Sequence, residues 1–70
     1  MEEEIIQALR DRIVEEDRYT GCSLAGVIVE LHAEVDTWLK GQKLDPETFD
    51  WVQVNTLIIQ ALCDEEVALA

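Results

Sequence analysis

The stretch from Ser23 to Gly41, SLAGVIVELHAEVDTWLKG, sets the terms for the whole chain. Leu24, Val27, Ile28, Leu31, Val35, Trp38 and Leu39 recur in it at helical spacing and form one continuous apolar stripe. That pattern is an amphipathic α-helix. Glu30, Ala33, Glu34 and Thr37 fill the opposite face. Whatever else the chain builds must cover the stripe.

Two further helices are predicted to do so. Upstream, Glu2, Glu3 and Glu4 place carboxylates at the positive end of a helix dipole. Ile5, Ile6, Leu9 and Ile13 follow as an apolar stripe with Val14 at its margin, and Arg12 and Glu16 are spaced for an ion pair. These residues predict a first helix over 2–17. Gly21 is expected to end it in a left-handed conformation, and Ser23 to cap the second helix, over 23–40. So short a connection favours an antiparallel hairpin. Lys40 and Lys43 suit the negative end of the second helix, Asp36 and Lys40 are spaced to pair, and Gly41 is expected to supply the terminating turn. Asp45-Pro46-Glu47 then carries an N-cap and first-turn signature, which predicts a third helix over 46–64.

The third helix differs from the others. Gln53, Thr56, Gln60 and Asp64 form a narrow polar stripe, and nearly everything else is apolar. A helix lying on one hairpin needs an apolar arc of only about 100° or slightly more. The excess reads as an interface, with Trp51, Val54, Asn55, Ile58, Ile59 and Leu62 as its expected residues. A homodimer is the economical form, and a groove for a third party is the competitor. Beyond Asp64 the acidic tail opposes the helix dipole, so fraying is expected there. The fold expected is all-α: a helical hairpin closed by a third, broadly apolar helix.

Size strengthens the case for a partner. Seventy residues make a single small domain, and a chain this short buries only about 60% of its unfolded surface. Disulfides, a metal or oligomerisation usually compensate. Cys22 and Cys63 are too few for a disulfide framework. No apolar run is long enough for a membrane span, and Met-Glu-Glu-Glu is the reverse of a basic leader. The expected setting is the cytoplasm, with both thiols reduced. Charge narrows the partner. Sixteen acidic residues against five basic ones give a net charge of −11, in a chain that is 49% hydrophobic. That is a folded object with a negative surface, not a disordered acidic tail. It repels nucleic acid and anionic membranes and attracts basic proteins.

Candidate chemistry is thin. His32 and Asp36 lie one turn apart, but no second ligand cluster accompanies them, so a solvated helix face is the simpler reading. A zinc site from Cys22, Cys63 and His32 lacks the paired Cys spacing such sites use. Cys22 near a helix N-terminus would gain thiolate character, yet no base is placed for it. Cys63 reads as packing, and Trp38 and Trp51 as anchors in a core or interface. Glu30 and Glu34 could hold magnesium in a small helical hydrolase, but further inward acids are missing. No catalytic residue, cofactor or metal is expected. The leading expectation is a non-enzymatic inhibitor or regulator that docks a basic, nucleic-acid-handling protein. Its acidic face would be Glu15, Glu16, Asp17, Glu30, Glu34, Asp64, Glu65 and Glu66, with carboxylates standing in for phosphates. An adaptor working through the apolar third helix is the alternative, and the hydrolase runs third.

Overall fold

Each predicted stripe finds a place in one three-helix bundle. The computed structural model describes residues 1–70 and contains three α-helices and no strand. These are α1 (Glu2–Glu16), α2 (Leu24–Gly41) and α3 (Trp51–Asp64). Side-chain pairs fix their directions. Arg12 meets Glu34 and Arg18 meets Glu30, so α2 runs antiparallel to α1. Gln53 donates to Glu2 at 3.0 Å and Arg10 reaches Glu65 at 2.7 Å, so α3 runs parallel to α1.

The core is built from the apolar stripes. Ile5, Leu9 and Ile13 come from α1, Val27, Leu31, Val35 and Leu39 from α2, and Val54, Leu57, Ile58, Ala61 and Leu62 from α3. Tyr19 joins them from the loop between α1 and α2. α3 packs against both other helices, α1 above all, and this uses part of its broad apolar arc. Val54, Ile58 and Leu62 are therefore core residues, not the interface residues expected from the apolar arc. Part of the apolar excess that suggested a homodimer is used within one chain, while Trp51, Val52 and Ile59 remain exposed on α3.

The third helix is shorter than 46–64. Asp45 does cap, accepting from the Glu47 amide at 2.9 Å, but it caps only a single 3-10 turn, Pro46–Thr48. Phe49 is then extended and half-buried against the core. Asp50 accepts from the Gln53 amide at 2.7 Å and starts α3 itself. Two caps in close succession divide what a single apolar pattern joins.

At the helix ends the glycines are not where the turns fall. Ser23 caps α2 as expected, its hydroxyl accepting from the Gly26 amide at 3.3 Å. A Cβ at Gly26 would stand 3.2 Å from that hydroxyl, so glycine leaves the cap its room. But α1 ends on Asp17 (φ 44°), and Gly21 (φ 82°) shapes a later turn. Gly41 stays inside α2, and Lys43 (φ 59°) takes the left-handed position. Leu44 then donates to Leu39 and Lys43 to Lys40, at 2.9 and 3.0 Å. α3 ends the same way: Glu66 is left-handed at φ 53°, Val67 donates to Leu62 at 3.1 Å and Glu66 to Cys63 at 3.0 Å. Both are Schellman ends. The apolar residue just past each, Leu44 or Val67, packs against the core, and that requirement selects the conformation of the residue before it. A side chain in this conformation costs about 1 kcal/mol or more. Lys43→Gly should therefore stabilise the fold by about 1 kcal/mol, which raises the melting temperature of a domain this small by roughly 4–8 °C. An unchanged midpoint in a thermal melt would remove the strain from Lys43.

The tail does not fray as the charges suggested. Gly21 donates to the Ala68 carbonyl at 2.8 Å and Ala70 to the Cys22 carbonyl at 3.0 Å, while Val67 and Leu69 pack against the core. Residues 67–70 thus lie along the loop between α1 and α2 and close one end of the bundle.

Candidate binding surface

Four of the expected docking carboxylates are already occupied. Arg12 reaches Glu16 at 2.8 Å and Glu34 at 3.2 Å, the first being the predicted four-residue pair. Arg18 reaches Glu16 at 2.9 Å and also pairs with Glu30. Arg10 holds Glu65. The seam between α1 and α2 is thus a network of three glutamates and two arginines, and it carries far less charge than its glutamates suggest. Its electrostatics agree. The hydrogen bond from Arg18, helped by the charge of Arg12, holds the Glu16 carboxyl below the usual carboxylate range. Glu65 and Glu16 in turn hold the Arg10 and Arg18 guanidiniums above their ordinary value.

The sign of the pH effect follows. A carboxyl whose folded value is lowered stabilises the fold above its unfolded value, near 4.5, and loses that contribution as pH falls through the lowered one. Arg18→Gln should therefore melt below wild type at neutral pH, with the gap closing as the solution is acidified beneath pH 4.5. A gap that stays constant down through that range would detach the effect from Glu16.

With the arginines committed, the remaining carboxylates face outward unpaired. On α1, Glu4, Asp11 and Glu15 are all exposed and recur at steps of seven and four, so they share the outer face. Asp11 is steadied by Gln7, which donates to it at 2.8 Å. At the C-terminal corner, exposed Asp17, Asp64 and Glu66 stand with half-buried Glu65. Of the expected acidic set, Glu15, Asp17, Asp64 and Glu66 are free and Glu16, Glu30, Glu34 and Glu65 are ion-paired. Glu4 and Asp11 belong with the free group, and their helical spacing with Glu15 is the signal that marks them.

A second surface is uncharged. From Trp51 to Cys63 no acidic or basic residue occurs, and Val52, Ile59 and Cys63 share the outward side of α3. Val52 is 72% exposed and Trp51 59% exposed. Trp51 lies flat on His32, with ring centroids 3.7 Å apart and planes 17° apart. His32 is not on a solvated face: it is only 8% exposed, and its Nε2 is 2.9 Å from Asn55 Oδ1. Asn55 therefore links α2 to α3 inside the chain. Near the closed end Leu24, Ile59, Leu62, Cys63, Val67 and Leu69 line an apolar groove.

No group of three or more His, Cys, Asp or Glu side chains is placed to hold a metal ion. His32 bonds to Asn55 and not to Asp36, and Glu30 and Glu34 are committed to arginines. Cys22 and Cys63 are free thiols, and Cys22 Sγ is 3.2 Å from the Arg18 carbonyl. No helix is long and apolar enough to cross a membrane. Comparisons with protein-family models, curated proteins and solved structures find no match to this chain.

Proposed function

We propose that this chain is a small non-enzymatic binding protein of the cytoplasm that docks a basic protein, as an inhibitor or regulator. Its docking surface is the outer face of α1 together with the C-terminal corner. The observation that carries this reading is the division of the carboxylates. The arginines satisfy the seam between α1 and α2, and Glu4, Asp11, Glu15, Asp17 and Glu66 are left exposed without a cation. A row of fixed negative charges on a rigid helix suits a groove that otherwise receives nucleic-acid phosphates, and it steers association with basic surfaces.

A second reading is favoured by the uncharged outer side of α3, where Val52, Trp51 and Ile59 are exposed together. There the chain would be an adaptor that buries this face against an apolar partner. The two differ in their response to salt. Capture of partners on the immobilised protein, washed at rising salt, should release a basic protein if the carboxylates bind it. A partner that resists salt and is lost with Val52→Asp would install the adaptor in its place.

A further inference from the structure

Two of the three seams between helices are closed by charged side chains, and the third is not. Between α1 and α2, Arg12 reaches Glu34, and Arg18 just past α1 reaches Glu30. Between α1 and α3, Gln53 donates to Glu2, and Arg10 holds Glu65 just past α3. Between α2 and α3 there is one polar bridge, from His32 to Asn55. The rest of that seam is apolar and open. On α2, Ala25 and Val29 precede His32 by seven and three residues, so they share the side turned toward α3, and both are exposed. On α3, Trp51 lies over His32 and Ile59 follows Asn55 by one turn. Leu24 and Ile59, 42% and 44% exposed, meet at the apolar groove, with Cys63 exposed beside them. No charged side chain enters this strip. Residues 24–29 and 51–63 contain none, and Glu30 is turned to Arg18.

We propose that a second copy of this chain covers the strip, in a twofold pair that sets α2 and α3 of one copy against α2 and α3 of the other. Charge selects this occupant and this place. At a net charge of −11, two copies meeting through α1 or the C-terminal corner would set carboxylate against carboxylate. Along the α2–α3 seam they meet without doing so. The carboxylate row of α1 lies on the far side of the bundle. In the pair the two rows stand two bundle thicknesses apart, each at least 16 Å, well beyond the Debye length of about 8 Å at physiological salt. Size favours the same occupant. A chain this small usually gains a disulfide, a metal or a second subunit, and here both thiols are free and no three metal-ligating side chains converge. Two helices side by side, each about 10 Å across and about 20 Å long, offer on the order of 500 Å² per copy. The pair therefore buries on the order of 1,000 Å², the lower edge of specific interfaces, and is weak and concentration-dependent. It is independent of the docking of a basic protein, and it presents the α1 row twice.

The test is sedimentation equilibrium of the intact chain from about 10 µM to about 1 mM, the span that an interface of this size implies. The average mass should rise with concentration from 8.0 kDa toward twice that value. The dimer should tighten at least about tenfold between about 20 mM and about 300 mM salt, because salt screens the repulsion and leaves the apolar contact in place. This is the reverse of the salt response expected for a basic partner. Val52→Asp and Val29→Asp should keep the helices, since both residues are exposed, and should each weaken the dimer at least about tenfold by burying a carboxylate in the contact. Val14→Asp makes the same change at an exposed valine of α1, off the strip, and should leave the dimer within about twofold of wild type. Iodoacetamide reads the unaltered chain: the rate at which Cys63 is alkylated, resolved by mass spectrometry, should fall as the protein is concentrated. A mass of 8.0 kDa at every concentration would overturn the proposal. So would a dimer that salt weakens, one that survives both Val52→Asp and Val29→Asp, or a Cys63 rate indifferent to concentration. A monomer that buries this strip against a different, apolar protein would overturn it too, in favour of the adaptor.

Discussion

Ile58→Asp is expected to unfold the chain. Ile58 is 0% exposed, at the centre of the face that α3 presents to both other helices. A carboxylate there would lie among apolar side chains, and every arginine is already held by a glutamate at the surface. An unpaired buried charge costs several kcal/mol, and a core of this size supplies only about 3–5 kcal/mol in total. Circular dichroism should show helicity lost or a melt far below wild type. Ile59→Asp, one residue along, is the control. Ile59 is exposed at the rim of the apolar groove on α3, so the substitution should cost far less than Ile58→Asp. A cooperative melt near wild type for Ile58→Asp would show that α3 turns a different face to the core.

That contrast explains where sequence periodicity stops. The stripes of α1 and α2 each have one apolar face, so spacing alone assigns Ile5, Leu9, Ile13, Val27, Leu31, Val35 and Leu39 to a core. On α3 nearly every position is apolar, so periodicity names the helix without naming its inward side. Leu57 and Ile58 face in and Ile59 faces out, which only the positions of α1 and α2 decide. The helix ends are obscured for another reason. Glycine is the usual left-handed residue, yet Asp17, Lys43 and Glu66 take that role, the last two because Leu44 and Val67 must reach the core. Long-range ion pairs leave no mark in the sequence either. Arg12 with Glu16 is legible as a pair of neighbours on one helix, but Arg12 with Glu34, Arg18 with Glu30 and Arg10 with Glu65 join separate elements. Tyr19 is hidden in the same way, since a lone aromatic in a polar loop says nothing of whether it joins the core.

Charge reversal separates the two kinds of carboxylate. Asp11→Lys with Glu15→Lys should leave the helix content and melting temperature close to wild type, because neither residue is ion-paired and both are exposed. Binding to the basic partner should fall at least roughly 100-fold. Like charges brought together in a docked complex cost several kcal/mol, and each 1.4 kcal/mol is about a factor of ten. Most of the loss should lie in the association rate at low salt and shrink as salt rises, the mark of steering by a row of charges. Glu30→Lys with Glu34→Lys carries the same change in net charge but a different structural meaning. It sets two lysines against Arg12 and Arg18 across the seam, so stability should fall while the α1 row stays intact. If charge alone governs binding, the two double variants will weaken it equally at temperatures where both are folded. If the outer row of α1 is the docking surface, only the first abolishes it, and the second binds whenever it is folded. Equal losses would therefore assign binding to net charge and not to the outer row of α1, whereas no loss from either variant would return the carboxylates to general solubility and leave the uncharged face of α3 as the surface that partners recognise.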